Sequence, residues 1–543
     1  MEIRAQFGGG IGGRKLERLR EAERTRLPSA RAVHDLHETL CFLRAYPDDA
    51  HLLAQVERML AGFDRRGDLR RFAKELADSG IAGTETRYRF FAETAFWLAR
   101  RYPGDLFVDW PELSVKQEEM LLERLPLLAH FAETPGLDEA PLSLRQWVRR
   151  MKGEREGDGA FLARRFDAID AEPFLKQAFY DEVDLPLRLR AAPDAPSRTH
   201  ARFKSPIHWQ RGPLRRERPD LRVALRARPK VRVATEREGK ELIRLAREAM
   251  VTRERDLDVF MYGDPRDVRL LDGGEGLVFA AIGFQPERRL LLEAVYGFLT
   301  LKNGVPIGYV LNSALFGSAE IAYNVFETYR GAEAGHVYGW VLACVRHLFG
   351  VDAFTIYPYQ LGQDNDEAID SGAWWFYQKL GFRPRDRDAL ALMRRELARM
   401  RQRPKYRSSR STLTRLADHN LYYFMGRPRS DVIGEVSLMD IGLAATDFLA
   451  RHGRGDHSRE AARRFGVRSF SGWTRDERVA WARWAPLLLL AKGVEGWTAA
   501  ERRTAVAVVR AKGGRRESDF VRLFDRHRKL RGAILRVERA SQG

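Results

Sequence analysis

A chain of 543 residues is longer than one hydrophobic core supports and predicts about three domains. With 44% hydrophobic and 31% charged residues, it is globular rather than disordered. Cys41 and Cys344 are its only cysteines, which excludes a disulfide framework and a cysteine metal cluster.

The net charge of +19, carried mainly by arginine, admits a nucleic-acid or anionic-surface partner but does not by itself select one. The first residues, MEIRAQFGGGIGG, lack the apolar stretch of a signal peptide. The densest apolar run, Trp484 to Ala491, is far shorter than the roughly 20 residues of a membrane span. These features predict a cytoplasmic protein without a membrane partner.

Residues 1–28 read as a flexible, basic tail. Gly8, Gly10 and Gly13 match the spacing of a dinucleotide-binding loop, but the strand before them is too short and no second strand follows at βαβ distance. Residues 29–184 read as a helical domain. Ser29 is an N-cap candidate, and Val33, Leu36, Leu40 and Leu43 recur at three-to-four spacing until Pro47. HLLAQVERMLAGF, YRFFAETAFWLARRY and SVKQEEMLLERLPLLAHFA predict further helices. His34, His37 and Glu38 share one helix, but with no further ligands nearby they read as partly exposed polar residues, and no metal is expected.

Residues 185–230 lose periodicity and become rich in proline and arginine, which predicts a linker or an arm. Arg211, Arg215, Arg216, Arg218, Arg222, Arg226 and Arg228 make it the most basic stretch, with Trp209 beside them. A solvated linker is the favoured reading, and a nucleic-acid contact is the alternative.

Order returns over 231–386. KVRVATE predicts a strand, and GKELIRLAREAM a helix with Leu242, Leu245 and Ala249 on one face. AVYGFLTL and VPIGYVLNSALF flank Asn303-Gly304, a strong hairpin signal, and AEIAYNVF supplies a third adjacent strand. The loop Arg330-Gly331-Ala332-Glu333-Ala334-Gly335 then opens a helix, where free N–H groups and the positive dipole end form an anion site. A strand and a short helix ending Tyr377-Gln378-Lys379-Leu380-Gly381-Phe382 follow. Residues 387–543 read as helical again, with Trp473, Trp481, Trp484 and Trp497 filling a core.

Residues of about 230–386 resemble the GCN5-related N-acetyltransferase superfamily, whose members move acyl groups from coenzyme A to amines. The likeness lies in the order of elements, in the Q/R-x-x-G-x-G/A loop matched at Arg330 to Gly335, and in a closing signature. Ala373, Phe376, Tyr377, Lys379, Gly381 and Phe382 match that signature. The flanking regions resemble no family we recognise. The resemblance implies an α/β (α+β) fold, with a central mixed sheet flanked by N- and C-terminal all-helical domains.

It also implies an acyl-CoA-dependent N-acyltransferase, using acetyl-CoA or another acyl-CoA as cosubstrate, no metal, and an amine acceptor that the sequence does not identify. Gly331, Ala332, Glu333, Ala334, Gly335 and His336 would hold the pyrophosphate, beside Arg330. Phe326 and Thr328 would lie along the pantetheine arm, as the fourth strand does in the family. Tyr377 would protonate the departing thiolate, and Glu320 or Glu327, at either end of that strand, would take the amine's proton. Two departures favour an inactive binding module as the alternative. Glu333 stands where the family has a loop glycine, and Asp370 where many members have an asparagine.

Overall fold

The computed structural model describes residues 2–128, 141–453 and 455–541. The end of the helix expected over 114–132 lies outside them; its described part is a helix, Val115–Leu128. The chain is of mixed α/β class and forms two compact units.

The first unit comprises Met1–Pro213, Leu242–Met261 and Asn303–Pro306. Its N-terminal residues are not a flexible tail. Ile11–Arg24 is a helix that buries Leu19 and Lys15, with the Lys15 ammonium 2.7 Å from Asp48. With so few apolar residues its periodicity is faint, and the helix is held by one leucine and a buried ion pair. Ser29 caps the helix Ala30–Ala45 as expected, its Oγ accepting from the N–H of Ala32.

His37 and Glu38 on that helix are buried, not partly exposed. His37 Nε2 lies 2.9 Å from Thr199 Oγ1, and Glu38 pairs with Arg198. The segment around 198–199 thus satisfies them. The region 29–184 is also not purely helical. Strands β1 (Thr86–Tyr88) and β2 (Leu106–Val108) flank β3 (Leu187–Leu189) in an antiparallel sheet. Three residues per strand are too few to show alternation. Phe96, Phe161, Phe166 and Tyr180 form the core against this sheet.

Asn303 and Gly304 adopt positive φ, 50° and 79°, as a two-residue hairpin turn demands. Asn303 Nδ2 donates to the carbonyls of Ala45 and His208, and its Oδ1 accepts from the His208 N–H.

The second unit comprises Leu214–Glu241, Tyr262–Lys302 and Ile307–Gly543. It carries the nine-stranded sheet. The strands are β4 (Lys230–Val233), β5 (Gly263–Gly274), β6 (Leu277–Phe284), β7 (Ala294–Lys302) and β8 (Val305–Leu315). β9 (Ser318–Val325), β10 (Ala353–Ile356), β11 (Arg383–Pro384) and β12 (Leu421–Phe424) complete it. The spatial order is β11-β12-β10-β9-β8-β7-β6-β5-β4. β9 and β10 run parallel, as a helical crossover requires, and the helix Ala334–Phe349 supplies it. β12 inserts between β10 and β11, antiparallel to both. The region after 386 is therefore not only helical; the sheet closes with a strand 37 residues beyond Pro384, counting to Leu421.

The expected linker is only partly loose. Leu214, Leu221 and Leu225 are buried, Leu221–Ala224 is a short helix, and the seven arginines are exposed. Trp481, Trp484 and Trp497 are buried, as expected of core residues, while Trp473 is half-buried. No helix among the described residues is long and apolar enough to cross a membrane.

Candidate functional site

The site is built where β9 and β10 part. β10 pairs only with Ser318, Ala319 and Glu320 of β9, then turns away at Tyr357-Pro358. The β9 edge from Ile321 to Val325 therefore has no strand partner on that side among the described residues. Its other edge is satisfied by β8, paired from Gly308↔Val325 to Leu315↔Ser318. An unpaired edge of this kind can accept an extended ligand as an added strand.

Alternation along β9 sorts the side chains. On one face stand Glu320, Ala322 and Asn324. Ser313 is the register partner of Glu320, and its Oγ lies 3.4 Å from Glu320 Oε2 and 3.0 Å from Glu293 Oε1. Burial, with the Glu293 carboxylate beside it, pushes the Glu320 carboxyl up to about 7. Burial raises Glu293 as well, opposed by Ser313 and Lys512. Tyr357, just past β10, is also raised by burial and by these two carboxylates. Sequence reasoning missed Glu293, which stands immediately before β7 and is joined to Glu320 only by strand register.

On the opposite face Tyr323 donates to the carbonyl of Ala334, at the start of the crossover helix. Its ring lies 5.2 Å from that of Tyr338, and Tyr338 lies 5.6 Å from Tyr377 on the helix Ala373–Leu380. Phe376 and Phe382 complete the cluster. Burial raises the Tyr377 phenol well above its ordinary value of 10, so it stays protonated. The Tyr338 hydroxyl is buried without a hydrogen-bond partner.

The loop after β9 differs from its expected form. β9 ends at Val325, and Glu327–Tyr329 is a 3-10 turn. Phe326 and Thr328 are accordingly buried turn residues, not strand residues lying along a ligand. The Phe326 N–H is taken by the carbonyl of Ile307. Glu327 is exposed on the turn, outside the strand that was expected to carry it. Arg330 donates to the Val325 carbonyl at 3.3 Å and pairs with Glu367. Gly331 has φ 77°, and a Cβ there would meet nothing within 4 Å. Ala332 is buried, its N–H bonded to the Tyr329 carbonyl.

Glu333 is the N-cap of the crossover helix, but its carboxylate does not cap. It turns inward, accepting from the Arg215 N–H at 3.0 Å and lying 3.3 Å from the Lys302 ammonium. The N–H groups of Ala334, Gly335 and His336 open the helix without intrahelical acceptors, as the first turn of a helix does. Burial lowers His336, so it adds no cation at neutral pH. A Cβ on Gly335 would stand 3.3 Å from Pro219 Cδ, so the small residue makes room for the proline-rich arm. Asp370 lies apart from the loop, exposed and paired with Arg410 at 2.7 Å.

The structure thus joins the loop, β9 and Tyr377 through one aromatic cluster and places Glu320 on the other face of β9. It leaves Glu327 and Asp370 outside this grouping. Among the described residues no group of His, Cys, Asp or Glu is arranged to hold a metal ion. No family model matches the chain, and neither a curated protein nor a solved structure matches it.

Proposed function

We propose that the second unit is an acyl-CoA-dependent N-acyltransferase. One observation carries the reading. A parallel strand pair parts at a half-buried carboxylate, Glu320, and the free strand edge leads into a helix start with unengaged N–H groups. The pantetheine arm would pair with the edge Ile321–Val325 as an added strand, and the pyrophosphate would meet the N–H groups of Ala334, Gly335 and His336. The inward-turned Glu333, neutralised by Lys302, leaves that helix start free of a competing carboxylate. The order of elements agrees with the sequence resemblance to the GCN5-related superfamily.

The acceptor enters as an ammonium ion. Glu320, with a pKa near 7, takes its proton, and the neutral amine attacks the thioester carbon. The C–N bond forms as the C–S bond breaks, and backbone N–H groups of the β9 edge stabilise the oxyanion. Tyr377, kept protonated by burial, gives its proton to the leaving thiolate. Base and acid then act from opposite faces of β9.

A second reading, a catalytically inactive binding module, is favoured by Pro219 against Gly335 and by the burial of Tyr377. A nucleic-acid contact, a separate alternative, would use the exposed arginines Arg215, Arg216, Arg218, Arg222, Arg226 and Arg228. Thermal unfolding with and without acetyl-CoA tests the first reading. At hundredfold excess over Kd the fold gains about 2.7 kcal/mol. No stabilisation by any acyl-CoA overturns it, and binding without turnover across a panel of amines selects the second.

A further inference from the structure

Two carboxyl groups reach one hydroxyl in the second unit. Ser313 Oγ lies 3.0 Å from Glu293 Oε1 and 3.4 Å from Glu320 Oε2. A serine hydroxyl carries a single proton and can donate it to only one of them. The other contact becomes a hydrogen bond only when the second carboxyl brings its own proton and donates to the serine oxygen. The shorter distance assigns the serine proton to Glu293, so Glu320 is the protonated partner. Both carboxyls are half-buried, where two adjacent negative charges are poorly tolerated.

The surroundings agree on which end is ionised. The Lys512 ammonium, on the helix Ala499–Lys512, lies 2.7 Å from the main-chain carbonyl of Glu293 and favours its carboxylate. Lys512 is buried and is itself held 2.6 Å from Glu517, with Arg289 nearby. Facing Glu320 are Glu293, Ser313 and the Tyr357 phenol, with no cation among them.

We propose that Glu293, Ser313 and Glu320 form one proton-sharing unit, in which Glu293 is the ionised member and sets the basicity of Glu320. This rests on the reading of Glu320 as the base for the acceptor amine, and it makes Glu293 a positioning residue that works through Glu320. Lys512 extends the unit into the C-terminal helices: its cation favours the ionised form of Glu293, and the negative charge of Glu293 in turn raises the pH above which Glu320 is the free carboxylate that can take the acceptor's proton.

Carboxyl-carbon NMR titration of the full chain, labelled at glutamate and free of acyl-CoA, tests the proposal. One carboxyl titrates near pH 7 and disappears in Glu320→Gln. In Glu293→Gln that midpoint falls by at least about one pH unit, because the neighbouring charge is gone. Glu293 ionises while Glu320 is still neutral, so its own midpoint barely moves in Glu320→Gln, and Glu293→Ala repeats the fall of the Glu320 midpoint if Glu293→Gln fails to fold. Glu320 titrating at an unchanged midpoint when the charge at position 293 is removed overturns the sharing. The titration needs no cosubstrate. A chain that shows the coupling but binds no acyl-CoA loses the acyltransferase reading alone, and one that binds acyl-CoA with independent carboxyls loses this proposal alone.

Discussion

Lys302 Nζ lies 3.3 Å from Glu333 Oε2, and both side chains are 4% exposed. The residue that most threatens a pyrophosphate site in the sequence is therefore one half of a buried ion pair. Removing one partner leaves an uncompensated buried charge, which costs about 3–5 kcal/mol. Lys302→Met is expected to lose that much in urea unfolding. Glu333→Gln removes the same ion pair while its amide can still accept from the Arg215 N–H, so it should be destabilising as well.

Gly304 and Gly331 share a left-handed backbone, with φ 79° and 77°, yet differ in surroundings. A Cβ on Gly304 would fall 1.9 Å from the Phe203 carbonyl oxygen, whereas one on Gly331 meets nothing within 4 Å. Gly331→Ala is expected to cost about 1 kcal/mol, from backbone strain alone. Gly304→Ala adds a clash with main chain and should cost roughly 3 kcal/mol or more. Equal losses in chemical denaturation would contradict this.

Tyr377→Phe preserves the ring contacts with Tyr338 and Phe382 and removes only the hydroxyl. If the phenol is the acid, kcat falls by roughly 10²–10⁴-fold while acyl-CoA affinity is unchanged. Unchanged turnover would remove Tyr377 from the mechanism and leave it as a core aromatic.

What could be read from the sequence was local. Asn303-Gly304 identified its hairpin because only a few residue types tolerate two positive φ values in succession. Ser29 identified its helix start because capping is a one-residue signal. The helix Ile11–Arg24 escaped notice because Leu19 is its only buried apolar residue. β12 escaped because four residues set far from their partners carry no register. Glu320 and Glu327 were both legible near β9, but telling the strand residue from the turn residue required the strand end at Val325, which puts Glu327 on an exposed turn. Glu293 was not legible at all, since its link to Glu320 runs through Ser313 on a third segment.

On the proposed acyltransferase reading, Glu320 should give stability and activity opposite pH dependences. Its carboxyl is raised from an ordinary value of 4.5 to about 7, so the folded chain holds a proton that the unfolded chain releases. The stabilisation from the protonated group is complete below pH 4.5 and is lost as pH rises through 7. Screening at this half-buried position limits the loss to roughly 2–3 kcal/mol. Glu320→Gln cannot release a proton, so its stability relative to the native chain should rise across the same window, measured by urea unfolding at pH 5 and 8. Activity runs the other way, because a base works only when deprotonated: kcat/KM climbs with pH and levels above about 7. Glu320→Gln flattens that limb and lowers the plateau. A stability difference that stays constant with pH would show that the Glu320 carboxyl ionises at its ordinary value, and would remove its fitness as the base.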